Sequence, residues 1–224
     1  MPHLLHLDSS PRPTALSRRI GAVFAAEWRR AHPESTYTYR DLTADPAPLV
    51  DASRTELAAQ SSAAAVRDLA GMAAVAQTAA QREAWSAVSP LVEEVFAADV
   101  VLVATPMYNF SVPAALKAWI DQVSFPWVSF KNRAIIVATG RGGSYAPGTP
   151  RAHLDFQEPY LRAYFETLGA ERIEFIHAEL SNAPIVPFLA RFTDAHIDSV
   201  NRALATARAL AHTVPTVLAD GRAD

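Results

Sequence analysis

Short apolar runs alternate with longer stretches of helical spacing along this chain. His3 to Asp8 is the first run and reads as a strand. Leu16, Ile20, Val23, Phe24 and Trp28 then recur at helical intervals until His32-Pro33, where a helix must stop. Tyr37 to Leu42 reads as a second strand. From Ser53 to Ala98 the chain is alanine-rich and helix-favouring, and Gly71 and Ser89-Pro90 predict breaks that divide it into two or three helices. Asp99 to Ala104 encloses the wholly apolar Val100-Val101-Leu102-Val103, and Arg133 to Thr139 is built alike; both read as strands buried on two faces. A helix opens at Pro113 with Leu116, Trp119, Ile120 and Val123 on one face. Another runs from Tyr160 to Leu168 and stops at Gly169. Arg172 to His177 is a fifth strand, and the last helix covers Asp194 to Thr213. Strands alternating with helices in this way predict an α/β fold, a doubly wound five-stranded parallel sheet with helices on both faces.

Neither a repeat nor a low-complexity linker interrupts the pattern, so residues 1–224 read as one domain with a helical excursion at about 53–98. That excursion either covers the sheet or caps a pocket or a subunit contact.

In open α/β sheets ligands sit beyond the carboxyl ends of the strands. Three loops fall there. After the first strand comes Ser9-Ser10-Pro11-Arg12-Pro13-Thr14-Ala15-Leu16-Ser17, a hydroxyl-rich lead into a helix. Such a helix start suits a phosphate, whose charge the free first-turn N–H groups and the helix dipole favour. The same residues also read as an ordinary Ser/Thr cap. No glycine is present, so this is neither a Walker A loop nor a dinucleotide fingerprint. After the third strand comes Pro106-Met107-Tyr108-Asn109-Phe110. Its aromatic rings either plug the end of the sheet or face a flat apolar ring system whose polar edge the Asn109 amide meets. After the fourth strand comes Gly140-Arg141-Gly142-Gly143-Ser144-Tyr145, which holds three of the chain's eight glycines. Glycine there permits positive φ and close approach of a ligand to the amides; the other reading is a mobile loop.

Composition narrows the function classes. At 224 residues with half of them hydrophobic, the chain can bury a sizeable core. A formal net charge of −3 gives no electrostatic reason for a nucleic-acid or anionic-membrane partner. Cysteine is absent, which removes disulfides, thiolate nucleophiles and cysteine metal sites, and no metal centre is expected. No apolar run approaches a membrane span, and Met1 to Asp8 carries no secretory pattern, so a cytoplasmic protein is expected.

Together, P-M-Y-N-F, T-G-R-G-G and the S-S-P-R loop resemble the FMN-dependent NADH:quinone oxidoreductases, also called FMN-dependent azoreductases, and more distantly the flavodoxin-like NAD(P)H quinone dehydrogenases. The resemblance implies a flavodoxin-like sheet of order 2-1-3-4-5 and a homodimer with FMN at two sites near the interface. By match to the family's motifs, Ser10, Ala15, Leu16 and Ser17 would hold the FMN phosphate. Met107, Tyr108, Asn109 and Phe110 would lie along the isoalloxazine, with Pro106 at the head of that shelf. Gly140, Arg141, Gly142 and Gly143 would meet its pyrimidine edge through backbone groups. The implied activity is ping-pong hydride transfer from NADH or NADPH to a quinone, azo compound or similar planar electron-poor acceptor.

Two departures fall where the acceptor would sit. Ser124 to Asn132 is shorter and more aromatic than the family's segment; its rings read either as core filler or as a pocket wall, which makes Phe125 and Trp127 candidate substrate walls. The family often has a His after Arg-Gly-Gly where this chain has Tyr145, so Tyr145 and, further on, His153 are the candidate proton donors. The rival from another class is a flavodoxin-like electron carrier without an organic substrate. A serine hydrolase lacks support, since no G-x-S-x-G elbow is present.

Overall fold

In the computed structural model, which describes residues 1–218, five parallel strands alternate with seven α-helices. The sheet comprises β1 (His3–Asp8), β2 (Thr36–Asp41), β3 (Val100–Pro106), β4 (Ala134–Gly140) and β5 (Arg172–Ala178) in the order β2-β1-β3-β4-β5. The most apolar strands occupy its centre: β3 is buried at every position and β4 at all but its last. Thr36-Tyr-Thr-Tyr-Arg-Asp41 forms an edge, where half-exposed polar residues cost little.

Two apolar layers sandwich this sheet. On one face Leu4, Val100, Leu102, Ala134 and Ile136 pack against α1 (Leu16–Ala31) and α7 (Thr193–Leu218). On the other, Leu5, Leu7, Val101, Val103, Ile135 and Val137 meet α2 (Ala52–Ala63), α3 (Leu69–Val75), α4 (Ala79–Ala97), α5 (Ala114–Val123) and α6 (Gln157–Thr167). Side chains alternate across a strand, so consecutive apolar residues of a central strand feed both layers.

The excursion forms three helices, but not with the predicted breaks. Gly71 lies inside α3 and Pro90 inside α4. Pro90 and Ser86, the residue whose carbonyl it cannot bond, are both exposed, so water can meet the carbonyl that proline leaves unpaired. Capping side chains set the actual starts. Asp51 accepts from Arg54 N, Asp68 from Gly71 N, and Thr78 forms a capping box with Gln81. Leu57, Met72, Trp85, Val88, Val92 and Val95 carry these helices into the core, where they cover the sheet.

The aromatic loop after α5 also departs from expectation. Phe125 and Trp127 do not wall the carboxyl-end loops. α5 runs back along the sheet, so the loop lies near the amino ends of β3 and β4. Phe125 is buried against Trp85, the Trp127 ring stacks on Phe96 near the end of α4, and Arg133 donates to the Val95 and Phe96 carbonyls. Arg54 lies 3.5 Å over the Phe125 ring and donates to the Gln122 and Ser124 carbonyls at the end of α5. Rings in an apolar loop have two possible uses, and here core burial takes them.

His6 adds a pH signature to the fold. It projects from β1 towards α1 with Nδ1 3.0 Å from the Tyr37 hydroxyl, while Nε2 is buried without a hydrogen bond among the described residues and stands 3.9 Å from Asp8 Oδ2. Burial, reinforced by the Arg18 charge, pushes its pKa down to about 4. A histidine held neutral stabilises the fold above its unfolded pKa of 6.5 and loses that contribution as pH falls towards 4. Unfolding free energy should therefore drop by about 3 kcal/mol across that window. His6→Asn should flatten that part of the profile, measured by denaturant titration at several pH values. A wild-type profile already flat there would show that His6 is not held neutral.

Candidate active site

Three carboxyl-end loops converge where β1, β3 and β4 lie side by side. The first leads into α1. Its N-cap is Ala15, with no side-chain hydrogen bond, so the ordinary Ser/Thr cap is not what forms. Among the described residues the N–H groups of Leu16, Ser17 and Arg18 meet no acceptor. Ser17 Oγ is buried and unpartnered too. The first turn carries no acidic residue but does carry Arg18 and Arg19, the reverse of what the helix dipole favours unless an anion sits there. A phosphate satisfies all three features at once.

Arg18 shapes this loop from behind. Its Nε and Nη2 donate to the Ser10 carbonyl at 2.8 and 2.7 Å, and Nη2 also pairs with Asp41 at 2.6 Å. Nη1 reaches Asp8 and the Tyr39 hydroxyl. Ser10 is fully buried, and its Oγ accepts from Arg12 N. The sequence singled out the hydroxyls but not this guanidinium.

The second loop is a tight turn. Tyr108 and Ser111 exchange both backbone hydrogen bonds at 3.0 Å, and Asn109 and Phe110 between them have φ of 47° and 70°. Positive φ at both central positions is type I′ geometry, usually given to Asn-Gly; Asn109 suits it and Phe110 does not. Tyr108 and Phe110 stand at the surface, 37% and 38% exposed. These rings do not plug the sheet.

The third loop wraps the end of β4. None of Gly140, Gly142 and Gly143 has positive φ; close approach accounts for Gly140 and Gly142, whereas a Cβ on Gly143 would make only ordinary contact with Tyr145. A Cβ on Gly140 would stand 3.2 Å from Leu16 Cβ and 3.3 Å from Ser17 N, so glycine lets α1 press its first turn against β4. The Arg141, Gly142 and Gly143 carbonyls accept from Ser181, Asn182 and Leu180, which fixes a loop that composition alone allowed to be mobile. The Gly142 and Gly143 N–H groups meet no acceptor among the described residues and remain available to a ligand. Arg141 differs from expectation, because its N–H donates to the Ala178 carbonyl at 2.8 Å. Its side chain is 2% exposed and pairs with Asp155 at 2.8 Å.

Edge-to-face contact at 6.4 Å joins Phe110 to Tyr145, so the second and third loops share an aromatic corner. Tyr145 N donates to Glu179 at 2.8 Å. His153 lies on an exposed 3-10 turn and makes no described hydrogen bond to the three loops, so nothing supports it as a proton donor. Behind Tyr145 is a cavity of about 670 Å³ bordered by Arg141, Glu158, His177 and Glu179. There His177 Nδ1 lies 2.7 Å from Thr139 Oγ1 and Nε2 donates to Glu158 at 2.8 Å, and the His177–Glu158 bond is the leading cause that holds the Glu158 pKa down at about 2.

The family model described as flavodoxin-like fold, Flavodoxin_2, matches residues 2–201. An FMN-dependent NADH:quinone oxidoreductase of Nocardia farcinica is 51% identical over 94% of this chain and 98% of its own length. One from Frankia casuarinae is 39% identical, over 93% and 98% respectively. Among solved structures, an azoreductase from Bacillus anthracis superposes with a TM-score of 0.75 at 21% identity, covering 95% of this chain and all of that one. An FMN-dependent NADH-azoreductase of Bacillus anthracis in complex with FMN gives 0.73 at 17% identity, over 94% and 100%. At those identities the structural matches speak for the fold.

Proposed function

The chain belongs to the flavodoxin-like Flavodoxin_2 family, and on that premise we propose that it is an FMN-dependent NAD(P)H oxidoreductase that reduces quinones, azo compounds or similar planar acceptors. One observation carries the cofactor assignment: the uncapped first turn of α1, with three free N–H groups and the buried, unpartnered Ser17 Oγ, is made for a terminal phosphate. Ser10, Ala15, Leu16 and Ser17 then hold the phosphate end. Pro106 to Phe110 form the shelf under the ring, and Gly140, Gly142 and Gly143 let the ring's polar edge approach backbone amides. FMN, when bound, would supply the two-electron redox chemistry that links NAD(P)H to the acceptor. The residues position it, exclude water with Tyr108 and Phe110, and offer the Tyr145 hydroxyl as proton donor to the reduced acceptor.

Residues 1–224 function as one FMN-binding domain. It pairs with a second copy, and the exposed apolar side chains Tyr108, Phe110, Phe156, Ile185 and Phe188, which lie on or near the site loops, support a homodimer with its sites near the interface. Among the described residues no helix is long and apolar enough to cross a membrane. A cytoplasmic location puts the enzyme where its nicotinamide co-substrate is.

The test is to load the purified protein with FMN and add NADH without oxygen. The yellow colour should bleach and return on addition of a quinone, and initial rates should give parallel double-reciprocal lines. A flavin that only a protein reductant can bleach would make this an electron carrier. Intersecting lines would replace the two-step scheme with a ternary complex.

A further inference from the structure

We propose that Asp155 is a positioning residue that couples the glycine-rich loop to the Tyr108–Ser111 turn, so that the two loops take up FMN as one unit. The inference rests on the flavin reading above. Asp155 sits between the 3-10 turn and α6 and divides its two oxygens between the glycine-rich loop and the start of α6. Oδ2 accepts from Arg141 Nη1 at 2.8 Å. Oδ1 accepts from the N–H groups of Gln157 and Glu158 at 3.0 and 3.1 Å, which fixes the start of α6.

Two contacts then run from the start of α6 to the turn. Gln157 is fully buried, and its Nε2 donates to the Pro106 carbonyl at 2.9 Å and reaches the Ser111 carbonyl at 3.5 Å. One amide therefore grips the chain on both sides of the turn. Phe156 N donates to the Phe110 carbonyl at 3.1 Å. The grip matters because Asn109 and Phe110 are held at positive φ, a strained arrangement that persists only when its surroundings over-determine it.

Arg141 anchors the other end. Its guanidinium is buried, with Nε and Nη2 without hydrogen bonds among the described residues, and Asp155 is the carboxylate that hydrogen-bonds it. Glu179 stands 3.8 Å off and is occupied with Ser144 Oγ at 2.6 Å and Tyr145 N at 2.8 Å. A charged pair out of water depends on each partner, so weakening Asp155 loosens Arg141 and with it the Gly142-Gly143 amides. Phe110 and Tyr145 already touch, so displacement on either side is felt on the other.

Asp155→Asn separates coupling from simple capping. Asparagine keeps an oxygen for the Gln157 and Glu158 N–H groups but loses the charge that faces Arg141. Amide hydrogen exchange on the flavin-free variant is the first readout. Coupling predicts faster exchange at Tyr145 in the glycine-rich loop and at Tyr108 and Ser111 in the turn, with α6 still protected. FMN titration is the second readout, where the dissociation constant should rise about tenfold, the loss of one charge-assisted bond. Gln157→Leu should produce the turn effect alone, and the two substitutions together should weaken FMN binding by less than the product of their separate factors.

Unchanged exchange in both loops would overturn the proposal, as would strictly multiplicative losses in the double variant. A wild type that takes no FMN would sink the flavin reading instead, and the exchange data would still decide whether the loops are coupled. Should Asp155→Asn fail to fold, Asp155→Glu is read in the same two ways. Its carboxylate restores Arg141 pairing in the coupling account, and wild-type exchange at α6 together with fast exchange in both loops would overturn it.

Discussion

Gly140→Val should purify folded and colourless. Gly140 ends β4, where valine's β preference is satisfied and where no positive φ forbids a side chain. The obstacle lies across the sheet end. A Cβ there already stands 3.2 Å from Leu16 Cβ and 3.3 Å from the Ser17 backbone nitrogen, and the two methyls of valine extend further. Ser17 N belongs to the helix backbone and cannot swing aside as a flexible side chain does. The first turn of α1 must shift, and the Leu16, Ser17 and Arg18 N–H groups shift with it. Charge-assisted bonds to a phosphate contribute about 1.5–3 kcal/mol each. Misaligning two of them weakens FMN binding by about a hundredfold or more. Flavin fluorescence titration with circular dichroism as the folding control checks this. A yellow variant of unchanged affinity would place the phosphate elsewhere. Gly142→Val makes a useful contrast, because its Cβ would meet Asn182 Nδ2 at 2.7 Å, a side-chain amide that can rotate away. Its smaller effect should fall on the ring edge.

Arg18→Ala should cost both stability and cofactor. Arg18 is the sole basic side chain that pairs with Asp8 and with Asp41 among the described ion pairs that exclude histidine, and the Asp8 side chain is 5% exposed. Removing one partner of a buried pair typically costs about 3–5 kcal/mol, because the remaining charge is stranded. Loss of the fork on the Ser10 carbonyl also frees the phosphate loop. Arg18→Lys should rescue little, since an ammonium cannot reproduce a planar fork that serves Ser10, Asp8, Tyr39 and Asp41 together. The defect carries a pH signature. Burial already pushes the Asp8 pKa up in the wild type, against the opposing pull of the Tyr39 hydroxyl and Arg18, and without Arg18 it rises further. A carboxyl raised in the folded state favours folding when protonated, below its unfolded pKa of 3.8, and loses that contribution as pH climbs through the folded value. The gap between variant and wild type should therefore be wider at pH 7 than at pH 4, by denaturant titration. A gap independent of pH would mean that Asp8 is not stranded.

The period of the apolar pattern was enough to read the sheet, because central strands buried on both faces must be apolar at every position and helices against them must repeat at 3.6. Val100 to Val103 and Ile135 to Val137 could serve no other purpose, and the order 2-1-3-4-5 went with the resemblance of the loops to a known family. The positions of the three loops followed from that order. What each residue does within them did not follow, because residue type leaves its partner open. Phe125 and Trp127 were equally suitable as pocket wall and as core, and only the antiparallel return of α5 brought them to the amino ends of the strands. Gly71 and Pro90 are breakers by type, yet a cap at Asp68 and an exposed Ser86 let helices run through both. Arg141 stood in a glycine-rich loop as a candidate for the ligand, and a carboxylate fourteen residues on turned its side chain inward. Local preferences are set by neighbours in sequence, so the sequence by itself determined strands, helices and the end of the sheet where the loops gather. Arg18 over Ser10, Gln157 under the strained turn and Gly140 against Ser17 are contacts between different elements, and only the tertiary structure decides them, since their energy depends on which groups meet.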